Sequence, residues 1–271
     1  IPGRCMMLLH STHCPHSMGK KRHGIVCYHK QFLFVLSTES KAYFPPVSYF
    51  AAIAKEMEGL IRKGDDRKNI LQSPLSSSVV FIEACENYQK QSYRNRCRLY
   101  GADGVQTLSF PIVHENGTHK NLISEVIIYY RKPWVLQHKR AITSAYGTSA
   151  YFEYYQDELF EILDSQPERL LELNTSLLQF FLEKTGLKAE IHFTDEFSPD
   201  GSVSLNGRRI ICEDLREVIH PKRPNVILND LGLEKPYFQV FSPKHGFKPD
   251  LSIMDLLFNE GPDSILFLKK L

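Results

Sequence analysis

Between Phe32 and Ala84 the chain runs through a short apolar segment, a proline turn, an amphipathic stripe and a second apolar segment, and that order leaves few folds open. "FLFVLST", 32 to 38, reads as a strand. "AYFPPVSYFAAIAKEMEGLIRK" then turns at Pro45 and Pro46 and continues as a helix with Phe50, Ile53, Met57 and Leu60 on one stripe. The polar stretch "KGDDRKNILQSPLSSS", with Gly64 and Pro74, reads as a surface excursion. After it, "VVFIEA" is the continuous apolar run that a parallel strand buried on both faces requires. Strand, helix, strand opens an α/β unit, so the expected fold is α/β with a Rossmann-like N-terminal sheet unit.

The remainder predicts a helical and mixed α+β C-terminal part. "QTLSFPIV" alternates as a strand, and "LISEVIIYY" follows the loop "HENGTHKN" as its hairpin-like partner. From Pro133 the period becomes helical, with Trp134, His138, Ala141 and Ala145 on one stripe and Gly147 at the end. A second helix places Phe152, Tyr155, Leu159 and Ile162 on one face. Ser165 with Glu168 reads as a capping box for a third, which Gly186 closes. "KAEIHF" alternates as a strand, "SLNGRRIIC" signals a hairpin at Asn206 and Gly207, and "DLSIMDLLFNEG" is a short helix stopped by Gly261.

Chemistry concentrates in "ENYQKQSYRNRCRLYGADG", residues 86 to 104, where Lys90, Arg94, Arg96 and Arg98 stand among Tyr88, Tyr93, Asn87 and Asn95. As a strand the even positions share one face, and as a helix Lys90, Arg94 and Arg98 still align. Either way the cations gather on one side, after the C-terminal end of a buried strand, where open α/β sheets bind ligands. Two or three charge-assisted bonds of about 1.5 to 3 kcal/mol each would anchor a phosphate or carboxylate. The plainer alternative pairs these cations with acids such as Glu83, Glu86 and Asp103 on a solvated face.

Other positions carry less. His138 shares a stripe with Trp134 and fits a core or boundary position better than a base. The aromatic cluster around Tyr146 and Tyr151 fits a core boundary, and Asp255 fits a cap or ion pair better than an acid. With 33 basic and 31 acidic residues the formal charge is +2, which speaks against nucleic acid as a partner. No run approaches the roughly 18 apolar residues of a membrane span, so a soluble, cytoplasmic protein is expected. The six cysteines form no C-x-x-C pair, so no zinc ribbon or disulfide framework is indicated. Residues 1 to 31 hold five histidines and three cysteines at irregular spacing, which specifies no metal site. They read as a poorly packed extension, disordered or from an over-extended gene start, ahead of a domain spanning 32 to 271. Phosphate loops of the Walker or dinucleotide type, zinc-protease helices and serine-hydrolase elbows are absent.

Four separated signatures then combine: the Tyr43-x-Pro45 loop, K-x-S-Y-R-N-R from Lys90, H-x-R-x-I-x-x-x-Y-G from His138 and D-L-L-F-N-x-G from Asp255. In this order they resemble the WbqC-like protein family, from about Phe32 to the C-terminus. A longer link between first helix and second strand is the main departure. The resemblance implies a role in bacterial surface-polysaccharide, or O-antigen, synthesis, with no established reaction. It carries over Tyr43, Tyr88, Lys90, Arg94, Asn95, Arg96 and Arg140 as ligand-binding positions, with His138 and Tyr146 facing the reacting group. The expected function is a transferase-like enzyme on a nucleotide- or lipid-linked sugar, an anionic small molecule. A noncatalytic binding protein of the same pathway is the alternative. The opening unit is also faintly similar to nucleotidylyltransferase domains, although Tyr43-Phe-Pro-Pro stands where their H-x-G-H would be. These residues name no cofactor, no metal and no oligomeric state.

Overall fold

A parallel sheet joins the N-terminal part of the chain to a strand from its second half in this computed structural model, which describes residues 35–39, 42–64, 78–113, 121–197, 199, 202–205, 208–211, 218–222 and 225–269. Strand β1 (Val35–Glu39) pairs with β2 (Ser78–Ile82), and β2 pairs with β5 (Ala189–Phe193), both parallel, in the order β1-β2-β5. Parallel neighbours need a crossover, and helix α1 (Val47–Gly64) supplies it between β1 and β2. The central position of β2 accounts for its unbroken apolar run, because Val80, Phe81 and Ile82 are all buried. On α1, Phe50 and Ile53 face the core as the stripe predicts. The side chains of Met57 and Leu60, the loop at 65–77 and the extension at 1–31 lie outside the described residues.

The hairpin differs from its sequence expectation. Strand β4 (Gly104–Ser109) pairs antiparallel with β3 (Arg96–Gly101), so its partner is the basic segment itself. A tight turn at Ala102 and Asp103 makes this possible, with Gly104 at φ 102°. "LISEVIIYY" instead splits its backbone bonds among three partners. Ile123 N donates to Glu86 O, Val113 N donates to Ile127 O, and Leu170 N donates to Val126 O. A single bridge, Ile112 to Ile128, is what remains of the predicted pair.

Three helices follow: α2 (Trp134–Tyr146), α3 (Phe152–Asp164) and α4 (Leu170–Lys184). The capping box before α4 does not form. Arg169 is the N-cap without a side-chain cap bond, and the Ser165 hydroxyl donates to Ile162 O at 2.8 Å at the end of α3. The other end is as expected: Gly186 at φ 73° lets Leu187 N reach Leu182 O and Gly186 N reach Glu183 O, a Schellman closure. Strands β6 (Ser202–Leu205) and β7 (Arg208–Ile211) form the expected antiparallel pair, whose turn residues Asn206 and Gly207 are outside the described residues.

Helices α5 (Ser242–His245), α6 (Ile253–Glu260) and α7 (Ser264–Leu268) complete the chain, and α6 is buried along Ile253 to Asn259. A helix buried on every side must satisfy its polar groups internally, which brings Asp255 and Asn259 into the core. Gly261 at φ 56° ends α6 against the Tyr151 ring, where a Cβ would fall 2.5 Å from ring carbons. The architecture is mixed α/β. Among the described residues no helix is long and apolar enough to cross a membrane.

Candidate functional site

The basic segment separates into two environments. Ser92 caps a single 3-10 turn at Tyr93–Asn95, which aims Arg94 inward before β3 begins. Arg94 is 1% exposed, its Nη2 lies 2.7 Å from Glu86 Oε2, and its Nε donates to Glu86 Oε1 at 3.1 Å. Its Nη1 donates to Gln89 Oε1 at 3.4 Å, and its backbone oxygen accepts from Asn174 Nδ2. A guanidinium forked onto a buried carboxylate is a framework pair, not a donor awaiting a ligand. Lys90 is exposed on the preceding turn, and Tyr88 is buried. Asn95 Nδ2 donates to Phe110 O at 2.8 Å and ties the hairpin to the core. Arg96 and Arg98 alternate with buried Cys97 and Leu99, so both lie half-buried on the other face of β3. The four cations therefore do not converge.

His138 and Tyr146 both point into the core from α2. Tyr43 Oη lies 2.8 Å from His138 Nδ1, and His138 Nε2 lies 3.3 Å from Ser109 O. A carbonyl only accepts, so Nε2 carries the proton and Nδ1 accepts from Tyr43. Burial pulls the imidazole pKa down to about 4 against the favourable Ser109 carbonyl, and burial raises the Tyr43 phenol well above its ordinary value. Trp134 stacks on Phe110 at 4.5 Å to close this box. Tyr146 Oη accepts from Tyr100 N at 3.3 Å and is also bonded to Asp255. Both are buried and bonded within the core, and neither lines the cavity described below, so the expectation that they face a reacting group gives way to a polar-core role. Arg140 is exposed on the opposite side of α2.

What does converge is a cavity of about 290 Å³ beside β3. Arg98, Lys248 and His220 line it with Tyr93, Asn225 and Asp250, and Leu228 and Leu251 form its apolar side. Asp250 organises this wall. Its Oδ1 accepts from Ser48 N at the start of α1 (2.9 Å), its Oδ2 accepts from Asn225 Nδ2 (2.8 Å), and its backbone oxygen accepts from Arg98 Nη2 (2.8 Å). Burial raises its pKa, against the opposing bonds from Asn225 and Ser48 and the charge of Arg98. Burial likewise pushes the Tyr93 phenol up to about 12, against Arg98. The cavity therefore presents neutral Tyr93 and two cations, with the one carboxylate named here already engaged.

Backbone strain marks the same junction. Asp250 has φ 55° and Phe44 has φ 47°, conformations that cost a non-glycine residue about 1–3 kcal/mol. The two segments are laced together by Val47 N to Leu251 O and Ile253 N to Pro45 O. Tyr43-Phe-Pro-Pro and the segment before Asp255 are thus one structural joint. Sequence reasoning passed over His220, Asn225, Lys248 and Asp250. The available signal was Lys248-Pro249-Asp250 directly ahead of the last signature.

The sequence model of the WbqC-like protein family matches residues 71–266, which include every residue named on the cavity wall. The chain belongs to the WbqC-like family. It is 25% identical over 197 residues to the uncharacterized protein Rv1507c of Mycobacterium tuberculosis, covering 67% of this chain and 84% of that protein. No solved structure matches it. Among the described residues of this WbqC-like protein, no group of three histidine, cysteine or acidic side chains is placed to hold a metal ion.

Proposed function

We propose that this WbqC-like protein is a cytoplasmic transferase-like enzyme acting on a nucleotide- or lipid-linked sugar in bacterial surface-polysaccharide synthesis, and that the cavity beside Arg98 takes the ligand's anionic group. The observation that carries the reading is the pairing of Arg98 and Lys248 across an open cavity whose carboxylate, Asp250, is already bonded on both oxygens. Such a wall favours a phosphate or carboxylate, and cations fixed before the ligand arrives stabilise charge that develops on transfer. At roughly 30 Å³ per water the space holds about ten waters. That is the bulk of one sugar ring with its phosphate, so a nucleotide or lipid portion would extend outside.

The parallel β1-α1-β2 unit supports the Rossmann-like reading of the N-terminal half. Arg96 lies on the same face of β3 as Arg98, and its Nε has no hydrogen-bond partner among the described residues, which suits it to a longer ligand. His220, whose Nδ1 accepts from Lys222 N, takes the proton-transfer role in place of His138 and Tyr146. Calorimetric titration with uridine-diphosphate sugars and sugar 1-phosphates tests the reading. Binding by the wild type that weakens in Lys248→Gln supports it, and no binding of either ligand sinks it.

The closure of His138 and Tyr146 favours a second reading, a noncatalytic ligand-binding protein of the same pathway. Mass spectrometry of the bound sugar after incubation separates the two: conversion identifies an enzyme, and retention without conversion identifies a carrier or sensor.

A further inference from the structure

Lys248 is held from behind by a buried amide, and that amide is held by a buried carboxylate. Gln239 Oε1 accepts from Lys248 N at 2.9 Å while Gln239 Nε2 donates to Lys248 O at 2.9 Å, so one side chain pairs with both backbone groups of Lys248. The same Nε2 donates to Asp255 Oδ2 at 2.7 Å, and Tyr237 Oη donates to that oxygen at 2.6 Å. Tyr146 from α2 bonds the carboxylate as well. Rotating the amide by half a turn would set its NH2 against Lys248 N–H and its oxygen against the carboxylate. The ionised Asp255 therefore admits one orientation of Gln239, and that orientation is the one that grips Lys248.

We propose that Asp255 is a positioning residue of the anion cavity, fixing through Gln239 the Lys248 backbone from which the ammonium reaches its wall. This rests on the cavity being an anion site. Asp255 itself is buried within α6 and does not line the cavity. The groups facing it are neutral: Tyr237 and Gln239 from the segment before α5, Tyr146 from α2, Tyr100 from β3, and Asn259, which donates to its backbone oxygen. Burial raises its pKa to about 6, against the bonds from Tyr237, Gln239 and Tyr146. Protonation replaces the charged acceptor that Gln239 Nε2 meets by a neutral one, which weakens that bond, so the hold on Lys248 loosens in part in mild acid. His220 and Asp250 act the other way, since protonating either makes the cavity more positive.

The test uses the full chain and a hexose 6-sulfate, whose charge is constant between pH 5 and 8. At pH 7.5, Asp255→Leu is expected to weaken binding roughly fivefold, a loss the size of one good hydrogen bond. In a Lys248→Met background the same change should add nothing. Asp255→Asn, which keeps a neutral acceptor oxygen, should restore part of the affinity. In a His220→Gln background, wild-type Asp255 should lose affinity from pH 7 to pH 5, and Asp255→Asn should lose less. Should Asp255→Leu fail to fold, Gln239→Met takes its place in the cycle. Independent, multiplying losses from Asp255 and Lys248 overturn the positioning role while leaving the cavity in place. Unchanged binding in both Arg98→Gln and Lys248→Met overturns the cavity reading, and the role of Asp255 with it.

Discussion

Arg94 and Arg98 stand one helical turn apart in sequence, in one basic run, and meet opposite fates. Arg94 is sealed in the core on Glu86, while Arg98 lies half-buried at the cavity with Lys248, bonded to the Asp250 backbone and to Tyr93 but to no carboxylate named here. The 3-10 turn at Tyr93–Asn95 separates them, because it turns Arg94 inward before β3 sends Arg98 out the other way. A dense run of cations is therefore poor evidence of an anion site. The informative quantity is which cation has already spent its charge on an acid.

The largest expected effect follows from that difference. Arg94→Gln leaves Glu86 buried without its counter-charge, and breaking a buried pair in this way costs about 3–5 kcal/mol. Denaturant unfolding should show that loss, so a double replacement of Arg94 and Arg96 tests stability before it tests binding. A melting temperature unchanged by Arg94→Gln would erase the distinction between the two arginines.

Next in size is an opposed pair of pH responses within the core. His138 has its pKa depressed from 6.5 to about 4, so it supports the fold above pH 6.5 and that support is lost as pH falls toward 4, about 3 kcal/mol in all. Asp255 has its pKa raised from 3.8 to about 6, so its ionisation withdraws about 3 kcal/mol as pH rises over that window. Between pH 4 and 6 the two nearly offset. His138→Gln should make the protein gain stability on acidification, and Asp255→Asn should make it lose more than the wild type. Parallel pH profiles for the two variants would show that neither group titrates as its burial dictates.

Binding comes third. Lys248→Gln removes one charge-assisted contact worth about 1.5–3 kcal/mol, roughly a tenfold to hundredfold loss of affinity for a sugar phosphate. Its fold should stand, since Gln239 grips only the Lys248 backbone. Arg98→Gln should match it in binding but also loosen Asp250. A larger loss of binding from Arg94→Gln than from Lys248→Gln, measured on folded protein, would move the site back to the start of the segment.

Patterns set by neighbours in sequence were legible. The buried run in β2, the amphipathic α2 and the Gly186 and Gly261 closures follow from local periodicity and backbone sterics. His138 reads two ways: its stripe with Trp134 sets it in the core, where it lies, while the family motif sets it beside a reacting group. Two local signals failed for nonlocal reasons. Glu168 gives its backbone oxygen to Ile128 N, and the following Arg169 caps α4 while reaching Ser124 O, so the capping box yielded to tertiary bonds. The strand expected at Leu122 to Tyr130 yielded to three competing partners. The cavity was illegible because Arg98, His220 and Lys248 share no spacing. Arg98 meets the wall through Asp250 O and Ser252 N, and Lys248 through the clamp of Gln239, contacts between segments about 150 and 9 residues apart that no local period encodes.

The smallest effects belong to Lys90 and Arg140, two family-motif cations whose side chains are exposed. Neither lines the cavity, and exposed charges interact weakly through water and salt. Replacing either with Gln should leave stability within about 0.5 kcal/mol and sugar-phosphate affinity within about twofold. Lys90 is the sharper case, because the turn that carries it, with Gln91 at φ 61°, leads straight into Ser92 and the Arg94 core. A ligand long enough to run from Arg98 past Arg96 would approach that turn, and then Lys90→Gln would weaken a sugar nucleotide while sparing the sugar phosphate. Equal, negligible effects on both ligands confine recognition to the Arg98 wall. A selective loss extends it along β3, and the two halves of the basic segment would then differ in reach as well as in burial.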